Sequence, residues 1–325
     1  MQHLNTATNP FSYPLSQDQN NLDLLISETN DALDAALSMD VRQGMNVVRL
    51  ALYFLRQKAS DSDWKKIIHD ILRPHPVCDI LHKDPFTYRA FAKPRGYAGD
   101  AVMIDYIYRN QEALDLGDPA GELVYAVSTN SPSTRAVRNR LNYIVNKIDD
   151  ICRSVESPEI FSVACGHCRE FGFSEQFQAK KGGRFVAMDQ DAESLAQACK
   201  DYSTQGLETM EGSVTTLLKQ KGPAGAFDLI YALGLYDYLN ERLAMKLTEN
   251  LFNRLKPGGE LVIANFMPDI LDIGYMEAYM DWELVYRDSI QMRELTEKIP
   301  ENSISELRTF TEPERNIVFL QLRRA

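Results

Sequence analysis

The sequence predicts an α/β protein in which a doubly wound, mostly parallel seven-stranded sheet follows a helical segment. Three observations carry this. From residue 151 onward short apolar runs alternate with amphipathic helical patterns, which is the signature of parallel βαβ units. The first 150 residues instead repeat leucine and isoleucine at three- and four-residue spacing. The stretch from Ile160 to Asp191 reads as strand, tight turn at Gly166, helix closed by Lys181-Gly182-Gly183, and second strand ending in RFVAMDQD. In such a unit the first loop meets free helix N–H groups, and an acid about 20 positions on holds ribose hydroxyls. Asp189 stands at that place, so a nucleoside is the expected ligand.

The elements follow in order. Residues 1–17, rich in amides and with Pro10 and Pro14, read as a flexible arm. From Asn21 helical spacing begins: Leu22, Leu24, Leu25, Ala32 and Leu33 form one segment, Val47 to Leu55 a second, and Trp64 to Ile71 a third that stops at Arg73-Pro74. Residues 18–150 are therefore expected to be a helical lid or substrate domain, and 151–325 the α/β domain. Within the latter, LETMEG, FDLIYAL and GELVIANF are the next strands, with KPGG closing the helix before GELVIANF. A long helical stretch is expected over 269–299, then two closing strands, SISELRTF and RNIVFLQLRR.

The segment Lys83 to Arg109 gathers aromatic, cationic and turn residues, including Lys93-Pro94-Arg95-Gly96-Tyr97, and Asp100 is placed to cap the helix that follows. It reads either as a packing loop between domains or as a lid presenting Arg95 and Tyr97 to an anionic ligand. A second basic patch, STRAVRNR, puts Arg135 and Arg138 on helical spacing, with Tyr143 beyond, and reads as a solvated face or as interdomain salt bridges.

Composition excludes several classes. The net charge is −11 and no Lys/Arg run is long enough to track phosphates, which argues against nucleic acid. No apolar run approaches a membrane span, so no membrane insertion and a cytoplasmic location are expected. Five cysteines without a leader pattern read as reduced thiols, and Cys165-x-x-Cys168 lacks the second pair a zinc site needs, so no metal is expected. GxGxxG is absent, which disfavours a nicotinamide dehydrogenase. A homodimer is compatible with the sequence.

With these residues in hand the chain resembles the class I S-adenosylmethionine-dependent methyltransferases. The resemblance rests on the Gly166 loop, Asp189, Glu211-Gly212-Ser213 after the third strand, FDLIYAL, and LKPGGELVI before the fifth. It implies S-adenosyl-L-methionine as cofactor, held by Ala164, Gly166, Glu170, Asp189, Gln190, Gly212, Ser213 and Ala232. The loop departs from the family pattern: its positions are Ser162, Ala164, Gly166 and Cys168, so the acid that contacts the methionine amino group is missing. Glu170 offers a carboxylate one turn later, and Ser213 replaces the usual acid at the adenine amine. KPRGYAGD, STRAVRNR, GLYDYL and DWELVYRD further resemble bacterial proteins of 3-hydroxypalmitic acid methyl ester biosynthesis. That implies a small-molecule acid, such as a 3-hydroxy fatty acid, as methyl acceptor.

A carboxylate nucleophile is ionised at neutral pH and needs no base, so catalysis falls to positioning in a dry pocket. The sequence offers Arg95, Arg138 and Arg287 for the anion, Tyr97, Tyr236 and Tyr238 for the sulfonium, and Asp237 and Asn265 at strand ends. A second reaction fits the constricted loop and aromatic lid: the cofactor's own amine displaces methylthioadenosine and closes azetidine-2-carboxylate. A fold that binds a nucleoside without turnover is the third reading.

Overall fold

The computed structural model describes residues 22–109, 117–179 and 182–325. The expected arm over 1–17, Asn21 and Lys181 lie outside these residues. Eight helices come first: α1 (Leu22–Ala36), α2 (Val41–Lys58), α3 (Asp61–Ile67, continued by a π-helical turn to Leu72), α4 (Val77–Leu81), α5 (Pro85–Ala92), α6 (Ala101–Tyr108), α7 (Pro119–Ser128) and α8 (Pro132–Ser154). Short polar side chains start many of them. Asp100 accepts from the Met103 N–H at 2.8 Å and Ser131 from the Thr134 N–H at 3.3 Å, each supplying an otherwise unmet donor.

The α/β part runs β1 (Glu159–Val163), α9 (Arg169–Phe173), α10 (Glu175–Gln178), β2 (Arg184–Asp189), α11 (Ala192–Tyr202), β3 (Leu207–Glu211), α12 (Val214–Leu218), β4 (Phe227–Ala232), α13 (Glu241–Phe252), β5 (Leu255–Phe266), α14 (Ile273–Tyr279), α15 (Ser289–Glu294), β6 (Ile304–Thr311) and β7 (Ile317–Arg324). The sheet order is β3-β2-β1-β4-β5-β7-β6. The first five strands are parallel, while β7 pairs antiparallel with both β5 and β6, so the expected seven-stranded sheet is mixed at one edge.

Period-two alternation sorts the strand residues onto two cores. Phe161, Val163, Ile230, Ala232, Leu261 and Ile263 face Ala244, Leu247 and Leu251 of α13. Ile160, Leu229, Tyr231, Val262 and Ala264 face the opposite way, into a cluster shared with Val137, Ile144 and Ile148 of α8 and with Leu33, Val48 and Leu52 of α1 and α2. The N-terminal helices are thus packed through one continuous core onto the sheet, and α8 runs through the expected boundary at residue 150.

Three expectations are corrected. KPGG does not end a helix but lies inside β5, where Phe227 pairs with Leu255 and Leu229 next pairs with Glu260, leaving the intervening residues as a bulge. The helix expected after Gly166 is broken at Ser174, whose hydroxyl caps α10 while donating to buried Asp149. The long helix over 269–299 is two short ones, because Asp281 has a left-handed φ of 47° and residues 281–288 form an extended strap. That strap is tied across the ends of β4 and β5: the Val285 N–H donates to the Asp237 carbonyl at 2.7 Å and the Arg287 N–H to the Phe266 carbonyl at 2.9 Å.

Candidate active site

The carboxyl ends of β1, β2 and β4 surround a cavity of about 320 Å³, closed on the other side by residues of α6, α8 and the strap. It lies where the strand order reverses between β1 and β4, the place at which open α/β sheets bind ligands.

The loop after β1 is drawn tight over this cavity. Ala164, Gly166 and Cys168 all have left-handed φ, at 53°, 54° and 52°, and a non-glycine residue there costs on the order of 1–3 kcal/mol. A Cβ on Gly166 would lie 3.2 Å from that of Ala101, so glycine allows α6 to sit directly on the loop. The Cys165 N–H donates to the Met188 carbonyl at 3.1 Å and the Gly166 N–H to Asp189 Oδ2 at 2.8 Å. Cys165 and Cys168 are free thiols, with Cys168 pushed up by burial. Among the described residues no His, Cys, Asp or Glu group is arranged to hold a metal.

Asp189 is buried at the end of β2. Its Oδ1 accepts the Asp191 N–H at 2.9 Å, and burial raises its carboxyl while the Asp191 and Gly166 N–H groups oppose the rise. Each oxygen keeps a lone pair for a further donor. Gln190, Gly212 and Ser213 line the same edge, with the Ser213 N–H held by Thr216 Oγ1 at 3.1 Å. Glu170 is buried on the β1 side. Its Oε1 accepts from the Tyr231 hydroxyl at 2.7 Å and from Ser162 Oγ at 3.2 Å, and desolvation raises its carboxyl.

Ala164, Gly166, Glu170, Asp189, Gln190, Gly212, Ser213, Tyr97, Asp237 and Tyr238 therefore share one cavity. Burial and the charges of Asp189 and Asp191 push the Tyr97 phenol up, so its hydroxyl stays a donor. The Tyr238 hydroxyl accepts from Trp282 Nε1 at 2.8 Å. A Cβ on Gly99 would come within 2.5 Å of that hydroxyl and 3.1 Å of the indole, so the 93–100 loop rests on this pair only because residue 99 has no side chain. Asp237 accepts the Phe266 N–H at 2.7 Å, and burial raises its carboxyl to about 6.

The other expected site residues lie elsewhere. Arg95 pairs with Asp191 at 2.9 Å and Glu193 at 3.0 Å, clasping the 93–100 loop to the start of α11 instead of facing the cavity. Tyr236 is fully buried with its hydroxyl 3.1 Å from Thr248 Oγ1, because the short turn that carries it points Tyr236 and Tyr238 to different sides. Ala232 belongs to the α13 core. Asn265 and Arg287 fasten the strap: Asn265 Nδ2 donates to the Val285 carbonyl at 2.8 Å, and Arg287 Nη1 to Asn265 Oδ1 at 2.8 Å. Arg138 caps backbone carbonyls of Ile107 and Thr129, and Arg135 pairs with Glu314 at 2.7 Å.

Sequence reasoning missed three contributors. Arg140 of α8 is 5% exposed, lines the cavity at the end of β4 and donates from Nη1 to the Leu233 carbonyl at 2.6 Å. Its Nε has no hydrogen-bond partner, and among the described residues no carboxylate stands within ion-pair distance of it. A charged residue three after Val137 and four before Ile144, on an apolar helix face, was the available signal. The second is His167, with Nδ1 2.9 Å from Asp105 of α6. Asp105 also takes two bonds from Arg169, at 2.8 and 2.6 Å, and these partners hold its carboxyl down at about 2 against the cost of burial. No local pattern joins residues 62 positions apart. The third is Trp282, delivered by the strap.

Residues 160–259 match the family model described as a methyltransferase domain. The chain carries a methyltransferase domain. Its cofactor is S-adenosyl-L-methionine. The cavity fits that molecule: the Asp189 lone pairs suit a ribose diol, the tight Gly166 loop leaves room beside β1, and the volume lies within the range of small-molecule sites. No curated protein sequence matches the chain. Among solved structures it is similar to a possible exported protein from Bordetella parapertussis, at 15% identity over 95% of this chain and 99% of that one, with a TM-score of 0.57; the likeness is one of fold. Magnesium protoporphyrin IX methyltransferase from Synechocystis, with S-adenosylhomocysteine bound, gives 11% identity, 70% and 96% coverage, and a TM-score of 0.47. The N-methyltransferase NodS from Bradyrhizobium japonicum gives 16%, 60% and 89%, and 0.42. Among the described residues no helix is long and apolar enough to cross a membrane.

Proposed function

We propose that the methyltransferase domain methylates the carboxylate of a small organic acid, such as a 3-hydroxy fatty acid. The observation that carries this reading is Arg140, a buried guanidinium in the cavity wall with an unpartnered Nε and no ion pair among the described residues. A buried cation offset only by a carbonyl and by the more distant charges of Glu170 and Asp237 is costly, and such a group is retained where a ligand of opposite sign completes it. When bound, the cofactor supplies an electrophilic methyl group on a sulfonium. Arg140 orients the acceptor anion at the end of β4, and Tyr238, Trp282 and Phe266 form an aromatic wall that keeps water away from it. The acceptor is already ionised at neutral pH, so no side chain has to remove a proton.

The test is product analysis. Purified protein is incubated with S-adenosyl-L-methionine, with and without organic acids of graded length, and nucleosides and esters are separated by chromatography. S-adenosylhomocysteine and a methyl ester are expected only when an acid is present. Methylthioadenosine formed without any acceptor would overturn methyl transfer in favour of cyclisation of the cofactor.

A further inference from the structure

Asp237 is 3% exposed and lines the cavity at the end of β4. The main chain fixes it from two sides: its Oδ1 accepts the Phe266 N–H at 2.7 Å, and its carbonyl accepts the Val285 N–H of the strap at 2.7 Å. Asp189 has a main-chain donor on each carboxylate oxygen, whereas Asp237 has one on Oδ1 only. Its Oδ2 takes a hydrogen bond from no other described residue and is not sealed from the cavity.

Arg140 faces the same turn. Its guanidinium donates to the Leu233 carbonyl at 2.6 Å and its charge acts on Asp237, yet the two side chains form no ion pair. Gly234 follows without a side chain to enter the space beside the guanidinium, where a Cβ would lie 3.9 Å from both terminal nitrogens. A cation and a carboxylate thus border one cavity without meeting. Burial raises the Asp237 carboxyl to about 6, so at neutral pH it is mostly ionised and can only accept. An asparagine would serve the Phe266 N–H as well, so holding the strap does not require this charge. Arg140 and Arg287 already offset it, and the group that completes Oδ2 therefore needs a donor hydrogen but no charge of its own. A hydroxyl meets that description, while an ammonium would add a second cation beside the sulfonium.

We propose that Asp237 is a specificity-determining residue whose Oδ2 accepts a hydrogen bond from a hydroxyl of the acceptor while Arg140 holds its carboxylate, so that the site prefers a hydroxy acid to the plain acid of the same length. The assignment rests on the reading of the acceptor as a small organic acid.

Methyl ester formation by the full chain tests it, with acids of the chain length that gives most ester: the plain acid, its 2- and 3-hydroxy derivatives, the matching fluoro acids, whose fluorine is close to a hydroxyl in size and cannot donate, and the matching amino acids. In wild-type protein one hydroxy acid is expected to exceed the plain and fluoro acids in kcat/KM roughly 10- to 100-fold, the worth of one hydrogen bond to a charged group. Asp237→Asn, which presents an N–H in place of the lone pair, is expected to bring that hydroxy acid and its fluoro counterpart to within about threefold of each other. A ratio between two acceptors cancels any loss common to both, so a merely structural role leaves it at the wild-type value. Equal turnover of the plain and hydroxy acids by wild type overturns the assignment and leaves acid methylation standing, as does Asp237→Asn lowering all the acids alike. A preference for an amino acid gives Oδ2 to an ammonium and overturns the hydroxyl. No ester from any of the acids overturns the acceptor reading and this assignment with it.

Discussion

Replacing Arg140 by methionine separates function from stability, because the two should move in opposite directions. The side chain is buried, makes no ion pair among the described residues, and donates to the Leu233 carbonyl at 2.6 Å with the Tyr108 phenol beside it. Removing it forfeits a hydrogen bond from a charged donor, about 1.5–3 kcal/mol. It also abolishes the desolvation cost of a buried cation, several kcal/mol. Leu233 is a half-buried residue of the cavity wall, so its carbonyl can rehydrate from the cavity, whereas Glu170 and Asp237 lose a stabilising charge and rise further. The net expectation is an apo protein as stable as wild type or up to about 2 kcal/mol more so, read by urea denaturation at pH 7. For the acceptor, a truncated charge pair costs about 2–5 kcal/mol, hence a fall in kcat/KM of roughly 30- to several-thousand-fold. Affinity for S-adenosylhomocysteine should change little. A loss of more than about 2 kcal/mol in stability would make Arg140 a structural residue, and a collapse of S-adenosylhomocysteine binding with an unmoved acceptor KM would assign its partner to the cofactor.

Asp105 and Asp237 give pH dependences of opposite sign. The Asp105 carboxyl is held near 2, below its ordinary 3.8, so its stabilisation is complete above about pH 4 and lost as the pH falls toward 2; Asp105→Asn should cost about 1–2 kcal/mol at pH 7, after allowance for partial exposure, with the gap closing in acid. Asp237 is raised from 3.8 to about 6, so the native state holds its proton longer than the unfolded chain and stability declines as the pH rises from about 4 to 6. Asp237→Asn keeps an acceptor for the Phe266 N–H and is expected to gain about 2–3 kcal/mol at pH 8 and nothing at pH 4, checked by denaturation at both values. Asp189→Ala should weaken S-adenosylhomocysteine by about 1–3 kcal/mol; an unchanged dissociation constant by calorimetry removes the ribose assignment.

Local chemistry made much of this molecule legible. The strand segments ending at Val163, Asp189, Glu211 and Ala232 are apolar runs bounded by turn residues, and their alternation with helices defines a parallel sheet whose carboxyl ends must lie together. That alone groups Gly166, Asp189, Gly212 and Ser213, since each follows a strand directly. Asp100 capping α6 was equally readable, because a cap acts within three residues of itself.

What the sequence could not decide was the direction of side chains whose partners are remote. Arg138 and Arg140 stand two positions apart on α8, about 200° around the helix axis, so one caps carbonyls at the surface and the other enters the cavity. Tyr236 and Tyr238 part in the same way in their turn. The strap from Asp281 to Asp288 has a helical composition, yet its N–H groups find the carbonyls of Asp237 and Phe266, and that long-range pairing outweighs propensity. The His167–Asp105 pair joins the β1 loop to α6, which lies close over Gly166. Periodicity and turn chemistry are written within a few residues and determine the elements and the end of the sheet that binds; which cations, rings and carboxylates face the cavity is set by contacts between segments far apart in the chain, and only the packed structure decides those.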